Sequence, residues 1–375
     1  MREMMNFSSY LYMPMVRTRA SELLAIENLS KETKGKILPF ISLSKANRVS
    51  SAYAAFEKWN SAFSAPAILG LSGSQHLIVD EYNDLILPDN DFSNWDNFIG
   101  KVKQENADII PSLILNSNVG KRDFVKQLQK LESNYGSIAL KVNPLSRRDI
   151  AASVTAASVA SSIDNIIFIL DVGQINIEQQ KAALDATIQA LNELRTIDGR
   201  VEIVTTSTSF PRMFQSYTKN HDETYGEIPM LEWENYHAIG GQEVAIYGDY
   251  AGIHGEFYQG SYAKFVARVD YPTPGTWIFE RRKQQAQKEE EREHLYSLAA
   301  QAIITSESWD DSLDVWGSRI IKKAAKNDLM KFGSPGKWIS IRMNLHIERV
   351  IRFLEDGITI PEVLQEDEWD DGDNW

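Results

Sequence analysis

Eight times between Tyr10 and Tyr250 the chain runs a short apolar strand into a longer amphipathic stretch. Few folds tolerate such a rhythm. Parallel strands need long crossovers, usually helices, and strands covered by helices on their outer side read as near-continuous apolar runs such as Ile37–Leu43. The predicted strands are Tyr10–Met13, Ile37–Leu43, Leu77–Val79, Ile109–Leu115, Ile138–Val142, Ile166–Leu170, Val201–Thr205 and Val244–Tyr247. Pro14 cannot donate to a ladder and marks the end of the first. For the third, Leu77–Val79 is preferred to Ala67–Leu69, because it ends at Asp80 and precedes a helix through Trp95 and Phe98. An open doubly wound sheet would usually carry a glycine-rich first turn, and no G-x-G-x-x-G or Walker pattern occurs. The expected fold is therefore α/β, a (β/α)8 TIM-barrel-like domain over residues 10–255.

The rest of the chain breaks that rhythm. Residues 1–9 carry three methionines without periodicity and read as a flexible lead-in. After Tyr250 a hairpin flanks Pro272–Gly275, and helices Gln284–Ile304, Leu313–Ala325 and Trp338–Leu354 follow, the last two parted by Gly333-Ser334-Pro335-Gly336. This β-hairpin plus helical appendage, residues 256–356, is expected to pack on the barrel, with an acidic tail at 357–375.

Composition removes several classes of function. The chain has no cysteine, so disulfides, thiolate metal sites and a cysteine nucleophile are out, and six scattered histidines leave carboxylates as the material for any metal site. No apolar run is long enough to span a bilayer and nothing near Met1 resembles a secretory signal, so a cytoplasmic protein with no membrane role is expected. A net charge of −13 disfavours a surface that grips nucleic acid throughout. The charge is uneven, however. From Leu313 to Arg352 nine Lys and Arg face three acids, and Lys322, Lys323 and Lys326 fall close together on one helix as the best nucleic-acid candidates, though such charge is usually a solvated face. The tail reverses the sign, with seven acids from Glu362 to Asp373 around Trp369 and Trp375, the pattern of a partner-binding segment.

In a barrel the side chains at the carboxyl ends of the strands line the working face. Most predicted strands close on a polar residue: Ser42, Asp80, Asn116, Lys141, Asp171, Thr205 and Asp249, with Ser207 just beyond Thr205. Lys141 and Asp171 end adjacent strands and read as a catalytic pair, an anion site or a structural ion pair. Ser42, Asn116, Lys141, Asp171, Thr205, Ser207 and Asp249 form the candidate ligand-binding rim; Lys141, Asp171 and Asp249 are the candidate catalytic set, expected in one cleft. Asp80, Asp171 and Asp249 are the weaker candidates for a divalent cation, each equally suited to capping the helix that follows it. No nucleophile elbow or Ser-His-Asp order is present, and His237 and His346 sit within helical stretches as core or surface residues.

Several short segments carry a family resemblance: Tyr12-Met13-Pro14 with Glu22 and Ala25, Ile37-Leu38-Pro39-Phe40, Ala139-Leu140-Lys141-Val142, Ile169-Leu170-Asp171-Val172-Gly173, Ser209-Phe210-Pro211, Tyr247-Gly248-Asp249-Tyr250, Gly336-Lys337-Trp338 and Asn344-Leu345-His346. In their order and spacing they resemble the phage-associated beta protein family, found in phages, prophages and bacterial defence neighbourhoods. The resemblance implies a barrel-like fold with Lys141, Asp171 and Asp249 at its rim, and involvement in phage–host conflict; it implies no established reaction. The expected protein is thus a phage-conflict factor, in defence or counter-defence, that binds a ligand at the barrel rim and acts with a protein partner. The alternatives are a metal-assisted hydrolase of the nuclease type and a non-enzymatic protein working through its tail. Cofactor, substrate and oligomeric state are not legible.

Overall fold

A computed structural model of the chain describes residues 5–46, 48–218, 224–257, 265–283, 289–329 and 331–358, with side chains left undescribed at 289–291. Its first part alternates strand and helix: β1 (Tyr12–Arg17), α1 (Ala20–Glu27), α2 (Lys31–Lys36), β2 (Phe40–Leu43), α3 (Ala52–Ala62), β3 (Ala67–Leu71), α4 (Tyr82–Leu85), α5 (Asp89–Glu105), β4 (Ile109–Pro111), α6 (Lys121–Tyr135), β5 (Ile138–Val142), α7 (Arg147–Val159), β6 (Ile166–Gln174), α8 (Ile177–Ile197) and β7 (Glu202–Thr208). There follow β8 (Tyr225–Pro229), α9 (Leu231–Ala238), β9 (Ile246–Asp249), β10 (Val266–Thr273), β11 (Thr276–Lys283), α10 (Glu289–Ile304), α11 (Trp316–Ala325) and α12 (Pro335–Glu355).

Eight of these strands form one all-parallel sheet in the order β4-β3-β2-β1-β9-β7-β6-β5. A parallel bridge between Ser112 and Ala139, with the Leu113 N–H donating to the Ala139 carbonyl at 2.8 Å, joins the two outer strands and closes the ring. The result is the (β/α)8 barrel that the strand rhythm implied. Alternation divides its side chains. Met13, Met15, Leu38, Phe40, Ile68, Ile110, Ala139, Ile167, Ile169 and Val204 fill the interior, while Tyr12, Ile41, Leu69, Leu140, Leu170, Ile203 and Tyr247 face the helices.

Three local expectations fail for identifiable reasons. Pro14 does not end the first strand; it stands in register with Asp249 of β9, and β1 continues to Arg17 beside β2, so one missing donor costs less than the burial the strand gains. The third strand is Ala67–Leu71, and Leu77–Val79 lies in turns with Leu77 and Val79 buried, because a short apolar run alone does not distinguish a strand from a well-packed loop. The lead-in is partly structured: Phe7 is 2% exposed and packs with Met13 and Met15 inside the barrel, with Met5 and Tyr10 against them.

A second, antiparallel sheet runs β10-β11-β8. β8 arises inside the loop between β7 and α9, so the barrel lends a strand to the appended layer. The β10–β11 hairpin turns at Pro274-Gly275; α10 and α12 lie against this sheet and α11 packs on them, around a separate apolar cluster that includes Tyr271, Tyr296, Ile321 and Leu345. Helix α12 starts with Ser334 at its N-cap and Pro335 in the first turn, where a missing N–H costs nothing. It packs on α1 and β1, places Met343, Ile347, Val350 and Ile351 in the main core, and so fills the place of the helix that follows the eighth barrel strand. Glu348 fixes it there, accepting the Ser30 N–H at 2.6 Å and the Thr33 hydroxyl at 2.6 Å.

Candidate functional site

At the carboxyl end of the barrel, Lys141 and Asp171 meet. Each follows an interior residue by two, Ala139 on β5 and Ile169 on β6, so strand periodicity points both side chains inward. Lys141 Nζ lies 3.1 Å from Asp171 Oδ2. The carboxylate is held from other sides as well: the Tyr250 hydroxyl stands 2.9 Å and 3.0 Å from its two oxygens, and the Gly173 N–H donates to Oδ1 at 3.0 Å. That last bond needs a bulge. The register of β6 on β7 shifts between Asp171 and Gly173, and Gly173 takes a φ of +79°, which residues with a Cβ seldom adopt.

The two partners differ in access. The Lys141 side chain is 38% exposed and that of Asp171 only 7%, so the carboxylate is an enclosed anchor and the ammonium opens on the mouth. Burial, and then the Asp171 charge, push the Tyr250 phenol far above its ordinary pKa, which keeps it a neutral donor. Beneath the ammonium, 5.6 Å away, lies the Phe40 ring. Gly70 makes room for that ring, since a Cβ there would stand 2.7 Å from its edge. Thr206, in register with Asp171 and on the same face as Val204, is buried, and its hydroxyl has no hydrogen-bond partner among the described residues. The segment after β9 crosses the mouth: Arg17 Nη2 donates to the carbonyls of His254 and Gly255 at 2.8 and 2.7 Å, and Gln174 Oε1 accepts the Gly255 N–H at 2.9 Å.

Asp249 is not in this cleft. Tyr250 faces the mouth, and its neighbour Asp249 therefore faces the helix layer, where it is 1% exposed. There it meets His346 Nε2 of α12 at 2.5 Å, the Tyr247 hydroxyl at 2.9 Å, the Tyr12 hydroxyl and the Ala251 N–H at 2.7 Å. Burial alone would raise its pKa; His346 and these donors outweigh burial and hold it below the usual carboxylate range. The Trp277 ring stacks on the imidazole at 4.8 Å. Nearby on α9, Glu232 is buried; it accepts the Ser209 N–H at 2.8 Å, and its Oε2 lies 2.6 Å from Ser209 Oγ.

The remaining candidates scatter. Ser42 shares the inner face with Phe40 by alternation and is half-buried at the end of β2. Thr205 and Ser207 face outward and line, with Thr187, Glu232 and Asn235, a cavity of about 20 Å³ between β7, α8 and α9, room for one water. That enclosed space is not at the mouth. Asn116 lies in the loop after β4, where its side chain accepts the Asn118 N–H. Asp80 sits in an exposed turn with Lys45 Nζ at 2.8 Å, and among the described residues Asp80, Asp171 and Asp249 do not gather as a metal-holding group. Among the described residues no group of three His, Asp or Glu could hold a metal ion. On α11, Lys322 pairs with Asp311 at 2.9 Å while Lys323 and Lys326 are exposed. Trp369 and Trp375 lie outside the described residues. Sequence reading gave Tyr250 and Glu232 no role; strict alternation along Gly248-Asp249-Tyr250 is the signal that would have separated Tyr250 from Asp249.

No helix among the described residues is long and apolar enough to cross a membrane. Residues 12–352 match the Beta protein family. Over 351 residues the chain is 34% identical to "Protein beta" of Enterobacteria phage P4, covering 93% of this chain and 95% of that protein. Both matches take in the strands that carry Lys141 and Asp171 and the helix that carries His346, and the chain belongs to the phage-associated Beta protein family.

Proposed function

We propose that this protein is a phage–host conflict factor, in defence or counter-defence, which binds a small ligand in the barrel mouth and acts with a protein partner. The observation that carries the reading is the asymmetry of the Lys141–Asp171 pair. An ammonium has three donors, and Asp171 takes one; the others suit a carboxylate or phosphate oxygen of a ligand entering the mouth. Thr206 offers a hydroxyl without a partner at the level of Asp171, and Ser42 belongs to the same face. Lys141 and Asp171 are thus the binding residues, with Tyr250 holding Asp171 in place. The family's phage member gives the biological setting.

The metal-assisted hydrolase reading loses support, since Asp80 and Asp249 stand apart from Asp171. The test uses cells expressing the full chain and challenged with phage, comparing plaque counts for the wild type, Lys141→Met and Asp171→Asn. Both variants should lose the effect on plaques with a thermal midpoint close to that of the wild type. Full effect in both variants removes the mouth from the mechanism, and no effect of the wild type on any phage tested removes the conflict role.

A further inference from the structure

Ser209, just past the end of β7, has more contacts than its hydroxyl proton can serve. Its Oγ lies 2.6 Å from Glu232 Oε2 and 2.9 Å from the Pro229 carbonyl oxygen, and it accepts the Leu231 N–H at 3.1 Å. A serine hydroxyl brings one proton, and both a carboxylate and a carbonyl are acceptors only. With Glu232 ionised, one of those two short contacts sets oxygen against oxygen with no proton between them. With Glu232 neutral every group is served: Glu232 donates to Ser209 Oγ, Ser209 donates to Pro229, and the Ser209 N–H still reaches Oε2 at 2.8 Å.

The place matters. Pro229 ends β8, the strand that the barrel lends to the three-stranded sheet, and Leu231 and Glu232 open α9. We propose that Glu232 is a proton-operated clasp: as the neutral acid it fastens the β8–α9 junction to the end of β7, and on losing its proton it lets that junction loosen. The surroundings favour the neutral form. Asp249 and Tyr247 face Glu232 from β9 and Tyr12 from β1, and the nearby His346 of α12 is engaged by Asp249. From α8 and β7 come Thr187, Thr205 and Ser207, which do not titrate, and on α9 itself Glu234 is turned to Gln180 of α8 at 2.7 Å. On the side of the appended sheet Arg342 is paired with Asp270 at 3.0 Å. Burial first, and then the Asp249 charge, push the Glu232 carboxyl up to about 7.

The experiment is amide hydrogen exchange on the full chain between pH 5.5 and 8.5, corrected for the intrinsic pH dependence and read at residues 224–231. The opening equilibrium of this segment should rise about tenfold or more across the range, since an ionised carboxyl favours the open form. In Glu232→Gln, neutral at every pH, the rise should vanish, while Lys141→Met should keep it. A flat profile in the wild type, or an unchanged rise in Glu232→Gln, overturns the clasp. Should Glu232→Gln not fold, carboxyl-carbon NMR of the ¹³C-glutamate-labelled wild type decides: a glutamate titrating between pH 6 and 8 and displaced in Ser209→Ala supports the clasp, and the absence of any such glutamate rejects it.

Discussion

The mouth and the outer face of the barrel hold similar residues in opposite circumstances. At the mouth, Asp171 is anchored by Tyr250 and Gly173 and pairs with a lysine that solvent reaches. Two strands along, in β9 and behind the sheet, Asp249 is held by two tyrosines, an amide and His346, all shut between strands and helices. An open ion pair contributes little to stability and keeps donors for a ligand; a closed one is costly to break, because either partner left alone is an unpaired polar group without water. The difference marks the mouth as the place for binding and the closed network as the seam that fixes α12 to the barrel. Arg342, His346 and Arg349 extend that seam along one stripe of α12, reaching Asp270, Asp249 and Tyr271 in turn.

The largest expected effect breaks the closed side. Asp249→Ala strands His346 and two buried tyrosines and should cost about 3–5 kcal/mol in urea denaturation, as for other buried pairs that lose one partner. A loss as small as that of a surface pair would abolish the contrast. Next comes Gly70→Ala, which drives a Cβ against Phe40 and should cost about 1–3 kcal/mol by overpacking while displacing the floor under Lys141; an unchanged unfolding midpoint would mean the ring has freedom to move. Asp171→Asn keeps the shape and removes a charge whose partner is more than a third exposed, so its cost should be about 1 kcal/mol or less, with the effect on phage lost.

Glu232 adds a dependence on pH. Its folded pKa stands above the 4.5 of a free glutamate, so its contribution to stability is fully present below that value and is lost as pH rises through about 7. Urea midpoints measured from pH 4.5 to 8 should fall over this window in the wild type and flatten in Glu232→Gln; parallel curves would remove Glu232 from the account. The smallest effect is at Asp80, exposed in its turn, where Asp80→Ala should leave both the unfolding midpoint and the phage effect unchanged; a loss of the phage effect would bring it back as a site residue.

The strand rhythm and the buried apolar runs were enough to set out the barrel, because a parallel sheet wrapped in helices leaves few other ways to bury them. The Lys141–Asp171 pair was legible for the same reason, since the two strands are neighbours in the sheet and both residues sit two beyond an interior position. What the pattern could not give was the face of Asp249. A strand end turns one residue to the mouth and the next to the helices, and an error of one position exchanges the two. Nor could it show that β8 would leave a loop to join another sheet, or that α12, some 85 residues after β9, would return to close the wall: both depend on contacts distant in the chain. Local periodicity thus determined most of the barrel's strands and helices and the polar residues at the ends of β5 and β6. Only tertiary packing decided which of those groups meet, because hydrogen-bond partners such as His346 and Asp249 are chosen by distance in space.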